Sequence, residues 1–335
     1  MARNHLAKTG RRRLLAGGAA AVVAGLGAVL VGRRARGERD RLVVADGRQM
    51  SSALFYIALI NGYFAEEGLD VEVQSHSYSR RAMESLTDGK AELAMSSEVP
   101  IMHALADGHS LKVVANIQTS DRDMAILGRR DRAISGPASL AGKRIGYIPR
   151  SNGRVFLDLF MATYGLTGSV EVVAFNPEDL VPALVAGTVD AVSSWTAIRL
   201  AAAEQLTDTV TIIAPAVYIE CWGIAVAATV AEHKRRALEK LLRGLLRAER
   251  LASAEPEIAI ANVADYLGQD RKGVAVLWPQ FDFAVNLNQT FIINLENAAR
   301  SERPADADPS KVDFSRAIDA AALRSVDARR ISLLQ

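Results

Sequence analysis

Cysteine is almost absent from this sequence, which contains a single one, Cys221, among 335 residues. One cysteine excludes an internal disulfide and any metal or cluster site that needs several thiolate ligands. The five histidines are scattered along the chain, without the short spacing that metal-binding motifs require. We therefore expect no metal site and a buried, unreactive Cys221.

An excess of charge of one sign is also missing. The chain has 40 basic and 38 acidic residues, a formal net charge of +2. Part of the basic excess lies in an arginine-rich cluster within the first forty residues. No global positive field is available to attract nucleic acid, so we expect no nucleic-acid partner.

The familiar catalytic motifs are absent as well. The sequence has no glycine-rich phosphate loop with its lysine, no nucleophile elbow and no His-Glu-x-x-His. We therefore predict no catalytic residues and no cofactor, and expect the chain not to be an enzyme.

The first 37 residues have the pattern of an export signal. Arg11-Arg12-Arg13 precede two leucines and an uncharged run of alanine, glycine, valine and leucine over residues 16–32. This pattern predicts a twin-arginine signal over 1–37 and a periplasmic location, or one on the outer face of the cytoplasmic membrane. An uncleaved anchor is the alternative, because no Ala-x-Ala site follows the apolar run.

From residue 41 onward, short β-branched runs alternate with longer helical stretches, which favours an α/β fold. Two similar sets of elements begin with strands at 42–45 and 145–148, as two lobes would produce. Strand-like segments at 124–127 and 223–227 are the predicted crossings between them. A long amphipathic helix is predicted over 233–252, either on the outer side of a lobe or on a membrane.

Five segments in order resemble the solute-binding proteins of ABC importers for nitrate, taurine and aliphatic sulfonates, which share their fold with thiamine-precursor binding proteins. The first four segments contain a glycine followed by a strand, and the last one covers the starts of the C-terminal helices. They are residues 58–73, with Gly62-Tyr63-Phe64 and Gly68-Leu69-Asp70-Val71, and residues 86–94, 140–146, 184–192 and 278–289.

This resemblance implies a type II periplasmic-binding-protein fold, with two α/β lobes joined by two crossover strands around a ligand cleft. Lobe 1 is expected over 41–124 plus 226–335, and lobe 2 over 125–225. The implied function is capture of a small organic solute by a monomer that delivers it to an ABC permease in the cytoplasmic membrane. Two alternatives remain: an enzyme on the same fold, resembling thiamine-pyrimidine synthases, and a ligand-sensing partner of a membrane receptor.

Ligand-binding residues are expected in the loops after the strands, where helix N-termini offer N–H groups. The serines and Asn152 in these loops also suit N-capping, and the tryptophan also suits simple core burial. The predicted ligand-binding residues are Gln49, Ser51, Ser52, Ser96, Ser97, Glu98, Ser151, Asn152, Trp195 and Glu220.

Two acidic residues in this set, Glu98 and Glu220, bear on the charge of the ligand. A carboxylate facing the cleft would repel an inorganic anion, so it favours a small organic solute that is amine-bearing, zwitterionic or heterocyclic. The family resemblance adds sulfonates to the candidate solutes. The alternative is that Glu98 pairs with Arg150 or Arg154 across the cleft and helps it to close.

Overall fold

Two five-stranded sheets organise the part of the chain that the computed structural model describes, residues 39–206, 209–301 and 313–334. The predicted export signal at 1–37 lies outside these residues. Strands and helices are numbered in chain order. The first sheet has the order β2-β1-β3-β10-β4, and its strands are β1 Asp40–Asp46, β2 Leu69–Ser75, β3 Leu93–Ser97, β4 Leu111–Ser120 and β10 Glu220–Ala227.

The second sheet repeats this arrangement in the order β7-β6-β8-β5-β9. In each sheet one strand runs antiparallel to both of its neighbours, β10 in the first and β5 in the second. The strands are β5 Met124–Arg129, β6 Arg144–Tyr147, β7 Glu171–Ala174, β8 Ala191–Trp195 and β9 Val210–Ile213; a short parallel pair is formed by β11 Leu287–Asn288 and β12 Ile331–Ser332.

The chain passes between the sheets at residues 121–123, before β5, and at 214–219, before β10. The strands predicted as crossings, at 124–127 and 223–227, each lie within one sheet. Both stretches are buried and apolar because each lies between two neighbouring strands of a sheet. Their composition therefore indicates a strand and does not indicate where the chain crosses. The proposed lobe limits at 124 and 225 remain a prediction.

Helices cover both sheets. The apolar pattern of residues 53–65 predicts one helix, but the structure divides it in two at Gly62, whose φ of 71° is left-handed and ends the first helical segment. The helices are α1 Ala53–Ile60, α2 Tyr63–Glu66, α3 Ser79–Thr87, α4 Glu98–Ala106, α5 Asn152–Thr163, α6 Pro177–Ala186, α7 Thr196–Leu206, α8 Ala228–His233, α9 Arg235–Ala254, α10 Pro256–Leu267, α11 Arg271–Leu277, α12 Gln289–Ser301 and α13 Ala321–Asp327.

The long amphipathic helix α9 lies on the first lobe. Its leucine face is buried in the core, and its basic face pairs with acidic residues of that lobe, Arg243 with Glu67 and Arg247 with Glu66. This packing accounts for the helix as an outer element of the lobe. Among the described residues no helix is both long and apolar enough to cross a membrane.

Candidate functional site

A pocket lies where the strands of both sheets end, with about 450 Å³ of atom-free space that includes its open mouth. Loops after β1, β2, β3, β6, β7 and β8 contribute to its wall, as expected for a site at the carboxyl ends of strands. The wall is formed by Gln49, Tyr78, Ser79, Arg80, Ser97, Pro100, Ile148, Pro149, Arg150, Ser151, Asn152, Pro177, Trp195, Glu220 and Trp222.

Asn152, the first residue of α5, joins the two sides of the pocket. Its Oδ1 accepts a hydrogen bond from Ser97 Oγ at 2.7 Å, and its Nδ2 donates to Glu98 Oε1 at 3.1 Å. The same Nδ2 donates to the hydroxyl of Tyr218 at 2.6 Å, in the segment that crosses between the sheets. One amide therefore ties together the first sheet, the second sheet and a crossing segment.

Glu98 lies behind Asn152 and is fully buried. Its Oε1 accepts hydrogen bonds from Asn152 and the Tyr218 hydroxyl, and its Oε2 accepts the backbone N–H of Cys221 at 3.0 Å. Burial raises the pKa of Glu98 to about 8, although the hydrogen bonds from the backbone and from Asn152 favour the ionised form. Both carboxyl oxygens are therefore occupied by donors of the protein.

Glu220, at the start of β10, differs from Glu98 because it lines the pocket and its Oε2 has no hydrogen-bond partner. Burial raises its pKa well above the usual range, and the charges of Asp123 and Glu98 raise it further. Cys221 is buried as expected, and burial followed by the charges of Glu98 and Glu220 raises the pKa of its thiol. This environment disfavours a reactive thiolate.

Trp222 forms part of the pocket wall and is held from behind. Its indole Nε1 donates to Ser52 Oγ at 2.9 Å, and that hydroxyl donates to Asp46 Oδ1 at 2.6 Å. The Tyr56 hydroxyl donates to the other oxygen of Asp46 at 2.7 Å. Burial raises the pKa of Asp46, and the two hydroxyls oppose that shift. The buried hydrogen bonds fix the plane of the indole against the cleft.

Trp195, at the end of β8, and Gln49 separate this pocket from a larger neighbouring cavity, because both residues line the two spaces. The neighbouring cavity has about 1070 Å³ of atom-free space, also open to solvent, and lies between α7 and α11. Trp195 is half-buried and packs against both hydrophobic clusters of the core. Core packing and a cleft-wall position are therefore combined in this residue.

The arginines near the pocket pair with acids other than Glu98. Arg150 forms an ion pair with Asp107 at 2.5 Å, joining the loop before α5 to the end of α4. Arg154 pairs with Asp158 within α5. The alternative in which Glu98 pairs with Arg150 or Arg154 is wrong, because Asn152 and Tyr218 are the side chains that reach its carboxylate.

The ten sequence-predicted residues fall into three groups. Ser51 lines the neighbouring cavity, whereas Ser52, Ser96 and Glu98 are buried behind the pocket wall. Ser52 and Ser151 stand at helix starts without capping through their side chains, since the Ser52 hydroxyl bonds to Asp46 and that of Ser151 to Ile148 O. The pocket brings together Gln49, Ser97, Ser151, Asn152, Trp195 and Glu220.

Sequence reasoning missed Trp222, Tyr218 and Asp123. Trp222 had a usable signal, because residues two apart in a strand share a face and Glu220 was already a candidate. Tyr218 and Asp123 lie in the crossing segments, which have no periodic pattern. Among the described residues no group of three or more histidine, cysteine, aspartate or glutamate side chains is arranged to hold a metal ion.

Comparison with known families and proteins yields one family match and several partial relatives. The family model described as NMT1/THI5 like matches residues 49–259, more than half of the chain. A 4-amino-5-hydroxymethyl-2-methylpyrimidine phosphate synthase of Uromyces fabae is 26% identical over 136 residues, 41% of this chain and 40% of that protein. A formylaminopyrimidine-binding protein of Halalkalibacterium halodurans is 31% identical over 93 residues, 28% of each chain. The chain thus matches less than half the length of either relative.

Two solved structures resemble the whole fold. The periplasmic aliphatic sulphonate binding protein SsuA of Escherichia coli superposes with a TM-score of 0.67 at 18% identity, covering 78% of this chain and 91% of that one. The periplasmic nitrate-binding protein NrtA of Synechocystis PCC 6803 has a TM-score of 0.70 at 12% identity, covering 87% and 89%. These likenesses confirm the predicted α/β periplasmic-binding-protein fold.

Proposed function

Because the chain belongs to the NMT1/THI5-like family, we propose that it is the extracytoplasmic solute-binding protein of an ABC importer. It captures a small organic solute between its two lobes and delivers it to a permease in the cytoplasmic membrane. The lobes are proposed to span 41–124 plus 226–335 and 125–225. Residues 1–37 are proposed to direct export by the twin-arginine route, and the protein to act as a monomer.

The observation that carries this proposal is the way both sheets build one pocket. Ser97 and Glu98 on one side and Asn152 on the other are already within hydrogen-bond distance of each other. A solute that contacted both walls would add to these bonds and favour the arrangement in which the walls are close. Motion about residues 121–123 and 214–219 would admit and release the solute.

The proposed solute is a sulfonate, an amine-bearing compound or a heterocycle. Flat apolar rings can stack on Trp195 or Trp222, and polar groups can reach Gln49, Ser97, Asn152 or Glu220. The relative and the structural neighbours described above bind a formylaminopyrimidine, a sulphonate or nitrate, which supports a small polar ligand. All ten predicted residues, including those behind the wall, remain proposed contributors to binding.

A thermal-shift screen tests this function. Sulfonates, nitrate, amines, pyrimidines and small aromatic acids are added singly at millimolar concentration, and the unfolding temperature is recorded. Binding to the native state raises that temperature, because a ligand at a hundredfold excess over its dissociation constant stabilises the native state by about 2.7 kcal/mol. A rise with one ligand class supports the proposal; no rise with any class, together with turnover of one compound, contradicts it.

An enzyme on the same fold is the second candidate, since the synthase of Uromyces fabae is among the partial relatives. Against it, no lysine and no histidine lines the pocket in the described chain. A ligand-sensing partner of a membrane receptor is the third, and it would share the whole cleft. Co-purification with a permease, as opposed to a receptor, distinguishes the third candidate from the first.

A further inference from the structure

Two buried carboxyl groups meet where the chain crosses between the sheets. Asp123 closes the first crossing segment and is 6% exposed, while Glu220 follows the second and is 4% exposed. Their carboxyl groups are close enough to share a hydrogen bond when one of them holds a proton. The two acids therefore form one buried pair beside the crossing segments.

This pair stands at the junction of the two cavities. Glu220 lines the smaller pocket and Asp123 lines the larger one, and the two spaces share Gln49 and Trp195 as common walls. Glu220 Oε2 and Gln49 Oε1 are both buried and receive no hydrogen bond from the described protein. Two acceptors without donors in a lined cavity call for a ligand that brings donors.

The fully buried Gln118 adds to the unmet hydrogen-bonding capacity beside Glu220. Neither Oε1 nor Nε2 of Gln118 has a partner among the described residues. Gln118 pairs with Trp222 in the ladder between β4 and β10, and Ser120 pairs with Glu220, so these side chains share one face of the sheet. The unpartnered amide therefore lies on the same side as the carboxyl pair.

The protein's own cations do not neutralise Glu220. Arg199 is attracted to Asp123, but its guanidinium donates to the backbone oxygens of Arg122 and Asp123 and to Thr196 Oγ1. On the pocket wall, Arg150 pairs with Asp107 and Arg80 lies 3.7 Å from Glu84. No described basic side chain donates to the Glu220 carboxyl, which leaves that position open to a positive group from elsewhere.

We propose that Glu220 and Asp123 form the subsite that holds the ammonium or amidinium group of an aromatic organic cation. This inference rests on the proposed solute-binding function and narrows its ligand class. The aromatic part stacks on Trp195 or Trp222, whose ring faces also attract positive charge. The N–H groups donate to Glu220 Oε2 and Gln49 Oε1, the two acceptors that lack donors.

Binding of a cation here is linked to a proton. The charged groups that act on Glu220 are Asp123 in the crossing segment and Glu98 on α4, and Arg199 of α7 is attracted to Asp123. Cys221, the next residue of β10, lies on the opposite face of the sheet. Burial, followed by the charges of Asp123 and Glu98, raises the pKa of Glu220 well above its usual range, which favours the protonated form of Glu220 when no cation is present. An incoming ammonium or amidinium group stabilises the ionised Glu220, and its proton is released to solvent.

Isothermal titration with matched probes tests the subsite. Benzamidine and benzylamine supply the cationic group, benzyl alcohol is the neutral control and benzenesulfonate the anionic one. Each is titrated into the intact protein, into Glu220→Gln and into Glu178→Gln, a control on an exposed acid of α6. The wild type should bind a cationic probe at least roughly tenfold more tightly than benzyl alcohol, and Glu220→Gln should lose that margin.

Proton release provides a second readout that needs no variant. Titrations of the wild type in two buffers of different ionisation enthalpy should give different heats, corresponding to release of up to about one proton per cation bound. Preference for benzenesulfonate, binding of no cationic probe, or equal affinity of wild type and a folded Glu220→Gln for the cation overturns the subsite. Binding of benzenesulfonate would still support the proposed solute-binding function, so the two proposals fail separately.

Discussion

Asn152 Nδ2, at the start of α5, donates a hydrogen bond of 3.1 Å to Oε1 of Glu98, at the start of α4. Asn152 lines the pocket, Glu98 is buried behind the opposite wall, and the Tyr218 hydroxyl contacts both. A buried acid, an amide and a phenol thus join the two lobes at one point. Several measurable properties depend on this contact and on the walls beside it.

Replacing Asn152 by alanine should loosen the contact between the lobes. The variant leaves Ser97 Oγ without its acceptor and removes a donor from the buried Glu98, so the free energy of unfolding should fall by about 1–3 kcal/mol. Urea denaturation measures this loss. Asn176→Ala, at an exposed position before α6 where the side chain does not cap the helix and donates only to the exposed Asp179, is the control and should lower stability by clearly less than Asn152→Ala. Equal stabilities of the two variants would contradict the assigned role of Asn152.

The stability of the protein should fall as the pH rises from 5 to 8. Burial raises the pKa of Glu98 from 4.5 to about 8, so in this range the folded state binds a proton that the unfolded state has lost. The stabilising effect of this proton is fully present below pH 4.5, decreases as the pH rises, and is lost once the pH has passed through the folded-state pKa. The slope from this group approaches about 1.4 kcal/mol per pH unit, with Glu220 acting in the same direction.

The Glu98→Gln variant checks the origin of this slope. Its amide cannot ionise, so the free energy of unfolding should decrease less between pH 5 and 8 than in the wild type. The difference in slope should correspond to up to about one bound proton. Urea titrations at half-unit pH steps provide the comparison. A wild type whose stability is independent of pH here, or a variant with the full wild-type slope, would show that Glu98 is not the titrating group.

Trp195→Ala should weaken binding of the solute found in the thermal-shift screen. Loss of an aromatic wall is expected to lower affinity by roughly 2- to 10-fold beyond the effect of lost surface. Trp278→Ala is the matched control, because Trp278 packs against Phe283 with ring centroids 4.5 Å apart and lines neither cavity beside Trp195. Calorimetric titration of both variants measures the affinities. Equal losses in the two variants would argue against a ligand contact by Trp195.

Gly153→Ala should displace the start of α5. A methyl group at this position would lie 2.9 Å from the backbone oxygen of Ser193 in β8, which cannot rotate away. We expect destabilisation of about 1–3 kcal/mol and weaker solute binding, because Asn152 is the preceding residue. Gly136→Ala is the control, since a methyl group there meets nothing within 4 Å. Thermal unfolding and titration of both variants test this, and an unchanged Gly153→Ala would contradict the close packing.

Much of the fold was predictable from local patterns. The strand at 145–148 and the long helix over 233–252 were placed within two residues of their observed bounds, because burial of one face imposes a regular spacing on the sequence. The division at Gly62 was missed, since a glycine inside an apolar helical pattern does not by itself show a left-handed conformation. The crossings were missed because short irregular segments have no periodicity.

The site was predictable only in part, for a physical reason. Loops after strands pointed to Ser97, Asn152 and Trp195, which line the pocket. The hydrogen bonds behind the pocket wall join residues that are distant in sequence. Glu98 and Tyr218, which both bond to Asn152, are 120 residues apart from each other. Such contacts arise from packing of the two sheets, and no local pattern encodes them.

The most direct test of the account is a titration followed by recovery of the ligand. A compound that raises the unfolding temperature is titrated into the protein by calorimetry, and the mixture is then denatured and analysed by chromatography. The account predicts saturable binding of one ligand per chain and recovery of the compound unchanged. Conversion of the compound, or heat without saturable binding, would contradict a protein that captures and delivers its solute.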